Sequence, residues 1–145
     1  MRRKHLYPNA SAEIQGGVDN PKLLGQVNFY QKENGVLVEA FIEGLPKTQS
    51  GFFGFHIHEG NSCTGNDFSN TGNHYNPKNT PHPNHTGDLP PLIYCQGGAY
   101  QAVLTDRFQV SDIIGKTVVI HDSPDDFTTQ PSGNAGVKIA CGEIK

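Results

Sequence analysis

Most of the histidines in this chain are spaced so that their imidazoles could bind metal ions. His56-Ile57-His58 places two imidazoles on one face of a predicted β-strand, because neighbouring side chains of a strand point to opposite faces. The rise of a strand puts their Cα atoms roughly 6–7 Å apart, so both side chains can approach one ion. Five further candidate ligands follow along the chain: His74, His82, His85, Asp88 and His121.

This set of six imidazoles and one carboxylate contains more ligands than one first-row metal ion takes, so two adjacent ions account for it best. Imidazole suits copper and zinc, and three histidines with one aspartate suit a closed tetrahedral zinc site. The alternative is that the His-x-His pair is incidental and that His82 and His85 are solvated loop residues. The complete set lies largely in a segment too poor in apolar residues to be ordered by burial, which favours metal binding.

The segments that must position these ligands have the two-residue periodicity of β-strands. Leu23–Gln31 and Val36–Glu43 alternate in this way and flank Asn34-Gly35, a pair typical of tight hairpin turns. The alternation within Gly51–Glu59 predicts a third strand, whose aromatic side chains face the core and whose histidines face away from it. Further strands are predicted at Ala99–Leu104, Lys116–His121 and Val137–Ile144.

Residues 60–92 lack this periodicity and are rich in Gly, Asn, Pro and Thr, and residues 122–136 form a second predicted loop. Loops of such length in a domain of this size are usually functional. The composition, with 17 Gly, 10 Pro and 34% hydrophobic residues, suits a loop-rich all-β domain. Many short strands with few helix signals indicate an antiparallel sandwich or barrel.

Charge, hydropathy and cysteine content exclude other classes of protein. A net charge of −3 does not give the basic surface of a nucleic-acid-binding protein, and no apolar run is long enough to cross a bilayer. The basic segment Met1–His5 leads into Tyr7–Ala10 and not into an apolar stretch, so either the protein stays in the cytoplasm or an export signal has been removed. Three cysteines allow one disulfide and one free thiol, and no C-x-x-C motif indicates a zinc ribbon or a thioredoxin-like site.

Several motifs resemble those of the copper–zinc superoxide dismutase family, and most closely its bacterial branch. In order they are GFHIHEGNSC, GNHYNP, HPNHTGD, IIGKTVVIHDSPDD and GNAGVKIACG. The match runs from about Gly16 to Ile144, which predicts one domain over residues 16–145 after a flexible N-terminal extension over residues 1–15. The resemblance implies an all-β fold, a Greek-key antiparallel β-sandwich or flattened barrel with two long functional loops.

The resemblance also assigns a ligand set, and no member of the family's set is missing. It implies that His74 bridges the two ions. The implied copper ligands are His56, His58, His74 and His121, and the implied zinc ligands are His74, His82, His85 and Asp88.

The activity implied is that of an oxidoreductase, converting superoxide to O₂ and hydrogen peroxide by one-electron cycling of copper, with zinc as a structural and electrostatic partner. His74 and Lys138 would be catalytic: His74 would pass a proton to the product, and Lys138 stands where the family has an arginine that docks superoxide. Because lysine keeps the charge but loses the planar guanidinium fork, we expect weaker docking of the anion.

Three further assignments follow from the resemblance alone. Asp125 would hydrogen-bond one copper ligand and one zinc ligand at the same time. Cys63 and Cys141 would form the family's intrasubunit disulfide, which leaves Cys95 without a partner.

Two other functions remain open from the sequence: a non-enzymatic copper or zinc carrier, and a zinc-stabilised structural module on the same scaffold. The complete ligand set and the cation at Lys138 argue against the carrier. Metal analysis that found zinc alone, even after copper loading, would favour the structural module. The expected substrate is the superoxide anion, with no nucleic-acid partner and no membrane span. A homodimer is compatible with the family, although no residue indicates an interface. A disulfide favours a location outside the cytoplasm over a cytoplasmic one.

Overall fold

The computed structural model describes residues 7–145, which form a curled antiparallel β-sheet with two long loops. The strands are β1 (Ala10–Gly16), β2 (Leu24–Lys32), β3 (Gly35–Glu43), β4 (Phe52–Phe53), β5 (Phe55–His58), β6 (Leu92–Ile93), β7 (Ala99–Thr105), β8 (Thr117–His121) and β9 (Lys138–Glu143). Seven of these strands pair in the order β5-β8-β9-β1-β2-β3-β7, while β4 and β6 form a separate two-stranded ladder. The predicted all-β, Greek-key architecture is confirmed.

The predicted hairpin is formed by β2 and β3, but its turn lies one residue earlier than expected. Lys32 pairs with Gly35, so Glu33 and Asn34 make the turn and Gly35 begins β3. Gly35 has a φ of 153°, and a Cβ at this position would lie 2.5 Å from the carbonyl oxygen of Thr105 on β7. The glycine therefore serves the close approach of two strands and not the turn itself.

The prediction that residues 1–15 form a flexible extension is wrong for residues 10–15. Residues 10–15 belong to β1, which pairs with β2 along six residues and with β9 at its end. Ala10, Ala12 and Ile14 are buried in the core, so burial of alternate side chains orders this segment. Residues 1–6 lie outside the described part of the chain.

The strands on the ligand side of the molecule are buried on both faces. Phe55 and Ile57 pack in the core, while the alternate residues of β5, His56 and His58, are buried beneath the loops. The predicted strand over Gly51–Glu59 is interrupted at Gly54, which separates β4 from β5.

Two short helical segments were not predicted. A 3-10 helix covers Asn66–Thr71 within the first long loop, and α1 covers Val110–Ile113 before β8. The carboxylate of Asp112 accepts a hydrogen bond from the N–H of Gln109 at 2.8 Å, which satisfies a free donor at the start of α1. Neither segment is long enough to span a membrane, and no other helix in residues 7–145 is.

A disulfide joins Cys63 in the first long loop to Cys141 on β9, two residues 78 positions apart in the sequence. The bond therefore ties the loop to a central strand of the sheet. Cys95 is a free, exposed thiol.

We expect the double substitution Cys63→Ser/Cys141→Ser to lower the free energy of unfolding of the metal-free protein by about 4 kcal/mol, since it removes the loop-closure constraint from the unfolded chain. Denaturant unfolding followed by circular dichroism measures this change. Cys95→Ser, which removes an exposed thiol, is the control. A double variant as stable as this control would contradict the prediction.

Candidate metal centre

β5 and β8 bring three of the predicted ligands together. His56 and His58 lie on β5, and His121 ends the neighbouring β8, where its N–H donates to the carbonyl oxygen of Gly54 at 2.8 Å. A Cβ at position 54 would lie 3.2 Å from the Cβ of His121 and 3.3 Å from the ring of His56. Gly54 thus permits the close approach of these two histidines.

The first long loop delivers the other ligands by pairing with the free edge of β5. Ile57 donates its N–H to the carbonyl oxygen of Gly87 and accepts a hydrogen bond from the N–H of Tyr75, both at 2.8 Å. These bonds create isolated bridges from His58 to His74 and from His56 to Asp88. The loop therefore acts as an additional strand next to β5, and it places His74 and Asp88 opposite His58 and His56.

The structure gathers all seven predicted ligand side chains into two adjacent groups that share His74. Within each group the potential ligand atoms lie within 4.8 Å of one another. All seven residues are buried. The first group consists of His56, His58, His74 and His121, and the second of His74, His82, His85 and Asp88.

In the first group, each imidazole has one nitrogen engaged by the protein and turns the other inward. Nδ1 of His58 donates to the carbonyl oxygen of Gly72 at 2.8 Å, and Nδ1 of His121 donates to that of Gly136 at 3.3 Å. Their Nε2 atoms then lie only 3.2 Å apart. Two neutral imidazoles with both Nδ1 atoms protonated have no proton to share between these Nε2 atoms, but both lone pairs can bind one cation.

In the second group, the carboxylate of Asp88 lies close to the Nδ1 atoms of all three histidines. Asp88 Oδ1 lies 2.8 Å from Nδ1 of His74, and Oδ2 lies 3.0 Å from Nδ1 of His82 and 3.3 Å from Nδ1 of His85. The Nδ1 atoms of His74 and His85 are 3.3 Å apart. Three nitrogens and one carboxylate at this spacing suit a tetrahedral zinc ion.

Three buried nitrogens show that the two groups fit metal ions. His56 Nδ1, His74 Nε2 and His82 Nδ1 have no hydrogen-bond partner within residues 7–145. Asp88 is near His82 Nδ1, but the contact lacks the alignment of a hydrogen bond. Buried polar atoms are nearly always satisfied, and here each of the three points into one of the two ligand groups. Coordination of a metal ion would satisfy all three.

Comparison with known proteins identifies the family. The family model for copper/zinc superoxide dismutase (SODC) matches residues 23–144. The chain belongs to this family. It is 38% identical to the Cu-Zn superoxide dismutase of Legionella pneumophila over 97% of this chain and 89% of the relative. It is 32% identical to that of Caulobacter vibrioides over 94% and 86%, and 38% identical to superoxide dismutase [Cu-Zn] A of Xenopus laevis over 83% and 87%.

Family membership and the two ligand groups make this chain a copper–zinc superoxide dismutase, an oxidoreductase whose cofactors are copper and zinc and whose substrate is superoxide. The carrier and structural alternatives are not favoured. Both four-residue ligand groups are complete in the described part of the chain, as expected of an active enzyme.

Burial keeps the imidazoles of this dismutase neutral and ready to bind metal. It lowers the pKa of His56 to about 4 and that of His121 to about 3, and it holds the pKa of His58 well below its usual value. Burial also lowers the pKa of His85. Because metal ligation requires the neutral imidazole, no proton has to be removed from these rings at neutral pH.

Asp125 links the two groups. Its Oδ2 accepts a hydrogen bond from Nε2 of His56 and its Oδ1 accepts one from Nε2 of His82, both at 2.7 Å. Burial alone would raise the pKa of Asp125, but these two hydrogen bonds hold it well below its usual range. The carboxylate is therefore ionised, and it turns Nδ1 of both rings toward the ligand groups.

Lys138 lines the cavity above the first group. The cavity has a volume of about 430 Å³, and its walls include His58, His74, His121, Ser132 and Lys138. The Nζ of Lys138 donates to Thr71 Oγ1 at 2.8 Å and to the carbonyl oxygen of Gly72 at 3.0 Å. Burial lowers the pKa of this ammonium group. A larger cavity of about 930 Å³ also borders Lys138 but is lined by none of the seven ligands.

Several residues of the centre were not predicted from the sequence. The carbonyl oxygens of Gly72 and Gly136 orient His58 and His121, yet a main-chain acceptor leaves no trace in residue type. Arg107 donates through Nη1 to the carbonyl oxygens of Pro83 and His85, at 2.7 and 3.1 Å. An arginine after a strand has many ordinary uses, so only the folded structure identifies this contact.

We expect Asp125→Asn to weaken metal binding by roughly 10- to 100-fold, because an amide NH₂ group cannot accept a hydrogen bond from one of the two histidine N–H groups. Competition with a chelator for zinc and for copper measures the change. Asp126→Asn is the matched control, since the neighbouring Asp126 is exposed and accepts hydrogen bonds from Thr128 and Thr129. Equal affinities for the two variants would contradict the linking role of Asp125.

Proposed function

We propose that the first group holds the copper ion and the second the zinc ion of this superoxide dismutase. The observation that carries this assignment is the trio of buried, unpartnered nitrogens, of which His56 Nδ1 and His74 Nε2 face the first group and His82 Nδ1 faces the second. The second group contains the only carboxylate of the set, and this mixture of ligands suits zinc. The first group is all imidazole, which suits copper.

The chemistry divides between the metals and the side chains of the protein. Copper, when bound, supplies the one-electron redox chemistry, and zinc supplies a fixed positive charge. His74 is placed to serve as the proton carrier, because its Nδ1 belongs to the second group while its Nε2 faces the first group and the cavity. A proton held at Nε2 would lie where peroxide must acquire one, which is general acid catalysis by a pre-positioned imidazole.

Lys138 is proposed to attract and dock the superoxide anion. A lysine ammonium group has three N–H donors, and Thr71 and Gly72 engage two of them, which leaves one for an anion. The two fixed hydrogen bonds hold the charge at the wall of the cavity. They cannot reproduce the paired, planar donors of an arginine.

We expect Lys138→Met to lower the rate constant for superoxide decay roughly 10-fold at low ionic strength, because the local field that guides the anion is weakened. Lys138→Arg should raise the rate and strengthen inhibition by small anions. Pulse radiolysis at several ionic strengths, with copper and zinc quantified in the same sample, measures both effects. Lys32→Met, at the far end of β2, changes the net charge equally and should leave the rate within about two-fold.

Either of two results would contradict this role for Lys138. One is a Lys138→Arg variant whose rate and anion inhibition are both unchanged. The other is a Lys138→Met variant that loses no more activity than Lys32→Met.

We also propose that the enzyme is exported from the cytoplasm and forms a homodimer. The Cys63–Cys141 disulfide supports export, since such bonds persist mainly in oxidising compartments. Apolar side chains exposed on the outer face of β3 and β7 support self-association: Phe41 and Tyr100 pack with ring centroids 5.1 Å apart and are 46% and 62% exposed. Cell fractionation and sedimentation equilibrium test the two statements separately.

A further inference from the structure

The second long loop holds the main chain of the zinc-ligand candidate His82 through one side chain, that of Gln130. Its Oε1 accepts a hydrogen bond from the N–H of His82 at 2.9 Å, and its Nε2 donates to the carbonyl oxygen of the same residue at 2.8 Å. A glutamine amide carries a donor and an acceptor side by side, so it pairs with a peptide unit as a neighbouring strand would. The two residues are 48 positions apart in the sequence.

The same loop also holds the side chain of His82, through the hydrogen bond from its Nε2 to Asp125. Asp125 sets the direction of the ring, while Gln130 sets the position of the backbone that carries it. With both in place, Nδ1 of His82 is left 3.0 Å from Asp88 Oδ2 and without a hydrogen-bond partner in residues 7–145. Neither contact alone determines where this nitrogen lies.

Gln130 also leads directly into the wall of the substrate cavity. Pro131 and Ser132, the next two residues, line the cavity together with Lys138 and His121. A second bond from Nε2 of Gln130 to the carbonyl oxygen of Thr128, at 3.2 Å, fixes the side chain within its own loop. The wall of the cavity and the backbone of His82 are therefore joined through one amide group.

We propose that Gln130 is a positioning residue for zinc: its amide holds His82 in the orientation required of a ligand and joins the zinc site to the cavity wall. This inference rests on the proposed role of His82 as a zinc ligand. The hydrogen bonds of Gln130 reach the main chain of His82 and not its imidazole. Its effect passes through the backbone of His82.

Gln130→Met tests the proposal, because methionine has a similar length but can neither donate nor accept these hydrogen bonds. The chain offers a matched control in Gln31, another exposed glutamine that binds main-chain groups. Its Oε1 accepts from the N–H of Val110 at 2.9 Å and its Nε2 donates to the carbonyl oxygen of Lys32 at 3.1 Å. Gln31→Met removes the same kinds of bond but touches no metal ligand.

The first measurement is the zinc dissociation constant of the copper-free protein, by competition of Zn²⁺ with a chelator. The second is the visible absorption spectrum with Co²⁺ in place of Zn²⁺, which reports ligand geometry. Loss of contacts that orient a ligand typically weakens metal binding 10- to 100-fold. Because Gln130 is exposed and water can partly replace its bonds, we expect about 10-fold weaker binding and a changed Co²⁺ spectrum for Gln130→Met.

Gln31→Met should stay within about two-fold of the wild-type zinc affinity and keep its Co²⁺ spectrum. Gln130→Glu, which keeps the acceptor but not the donor, should bind zinc with intermediate affinity and serves as the test if Gln130→Met does not fold. Unchanged zinc affinity in the Gln130 variants, or an equal loss in Gln31→Met, would overturn the inference.

Asp88→Ala in the same assay separates this inference from the assignment of the zinc site. If zinc binding is lost in Asp88→Ala but unaltered in Gln130→Met, the site stands and the role of Gln130 falls. If Asp88→Ala binds zinc as tightly as the wild type, the proposed zinc site itself is wrong.

Discussion

Main-chain pairing between the edge of β5 and the first long loop determines where the ligands of this dismutase lie. Ile57 uses both its N–H and its carbonyl group for this pairing, and Gly87 and Tyr75 close the ring of bonds with a further hydrogen bond of 2.9 Å between them. A side chain at position 87 would place its Cβ 2.3 Å from the carbonyl oxygen of Ile57, so only glycine permits the contact. The positions of His74 and Asp88 opposite β5 depend on this register.

The pairing buries histidine nitrogens that have no hydrogen-bond partner in the protein, which lowers the stability of the fold. A buried nitrogen without a partner costs about 1–3 kcal/mol, and this centre contains three within residues 7–145. The protein limits the motion of the loops with contacts of different kinds: the disulfide to β9, the carboxylate of Asp125, and the guanidinium group of Arg107. Metal ions, when bound, would satisfy the remaining nitrogens, and metal binding would then stabilise the folded loops.

The sequence predicted the seven side chains that form the two ligand groups, and the family resemblance added Asp125, but the other groups that orient the histidines were not predicted. Spacing within β5 and the motif order predicted all seven ligands, because residue type limits which side chains can bind metal. The carbonyl oxygens of Gly72 and Gly136 and the amide of Gln130 act through geometry that only the folded chain creates. The position of the turn before Gly35 could not be predicted for the same reason. The close contact that requires a glycine there is made by Thr105, which is distant in the sequence and lies on the neighbouring strand β7.

His74 belongs to both ligand groups and Asp125 contacts both, and this has a thermodynamic consequence for the binding of the two metal ions. A side chain that belongs to two sites cannot be ordered for one without being ordered for the other. The binding equilibria of the two ions are therefore linked, and this linkage is reciprocal. If bound zinc changes the affinity for copper by some factor, bound copper changes the affinity for zinc by the same factor. Neither metal has a single intrinsic affinity for this protein, and each value is defined only for a stated occupancy of its neighbour.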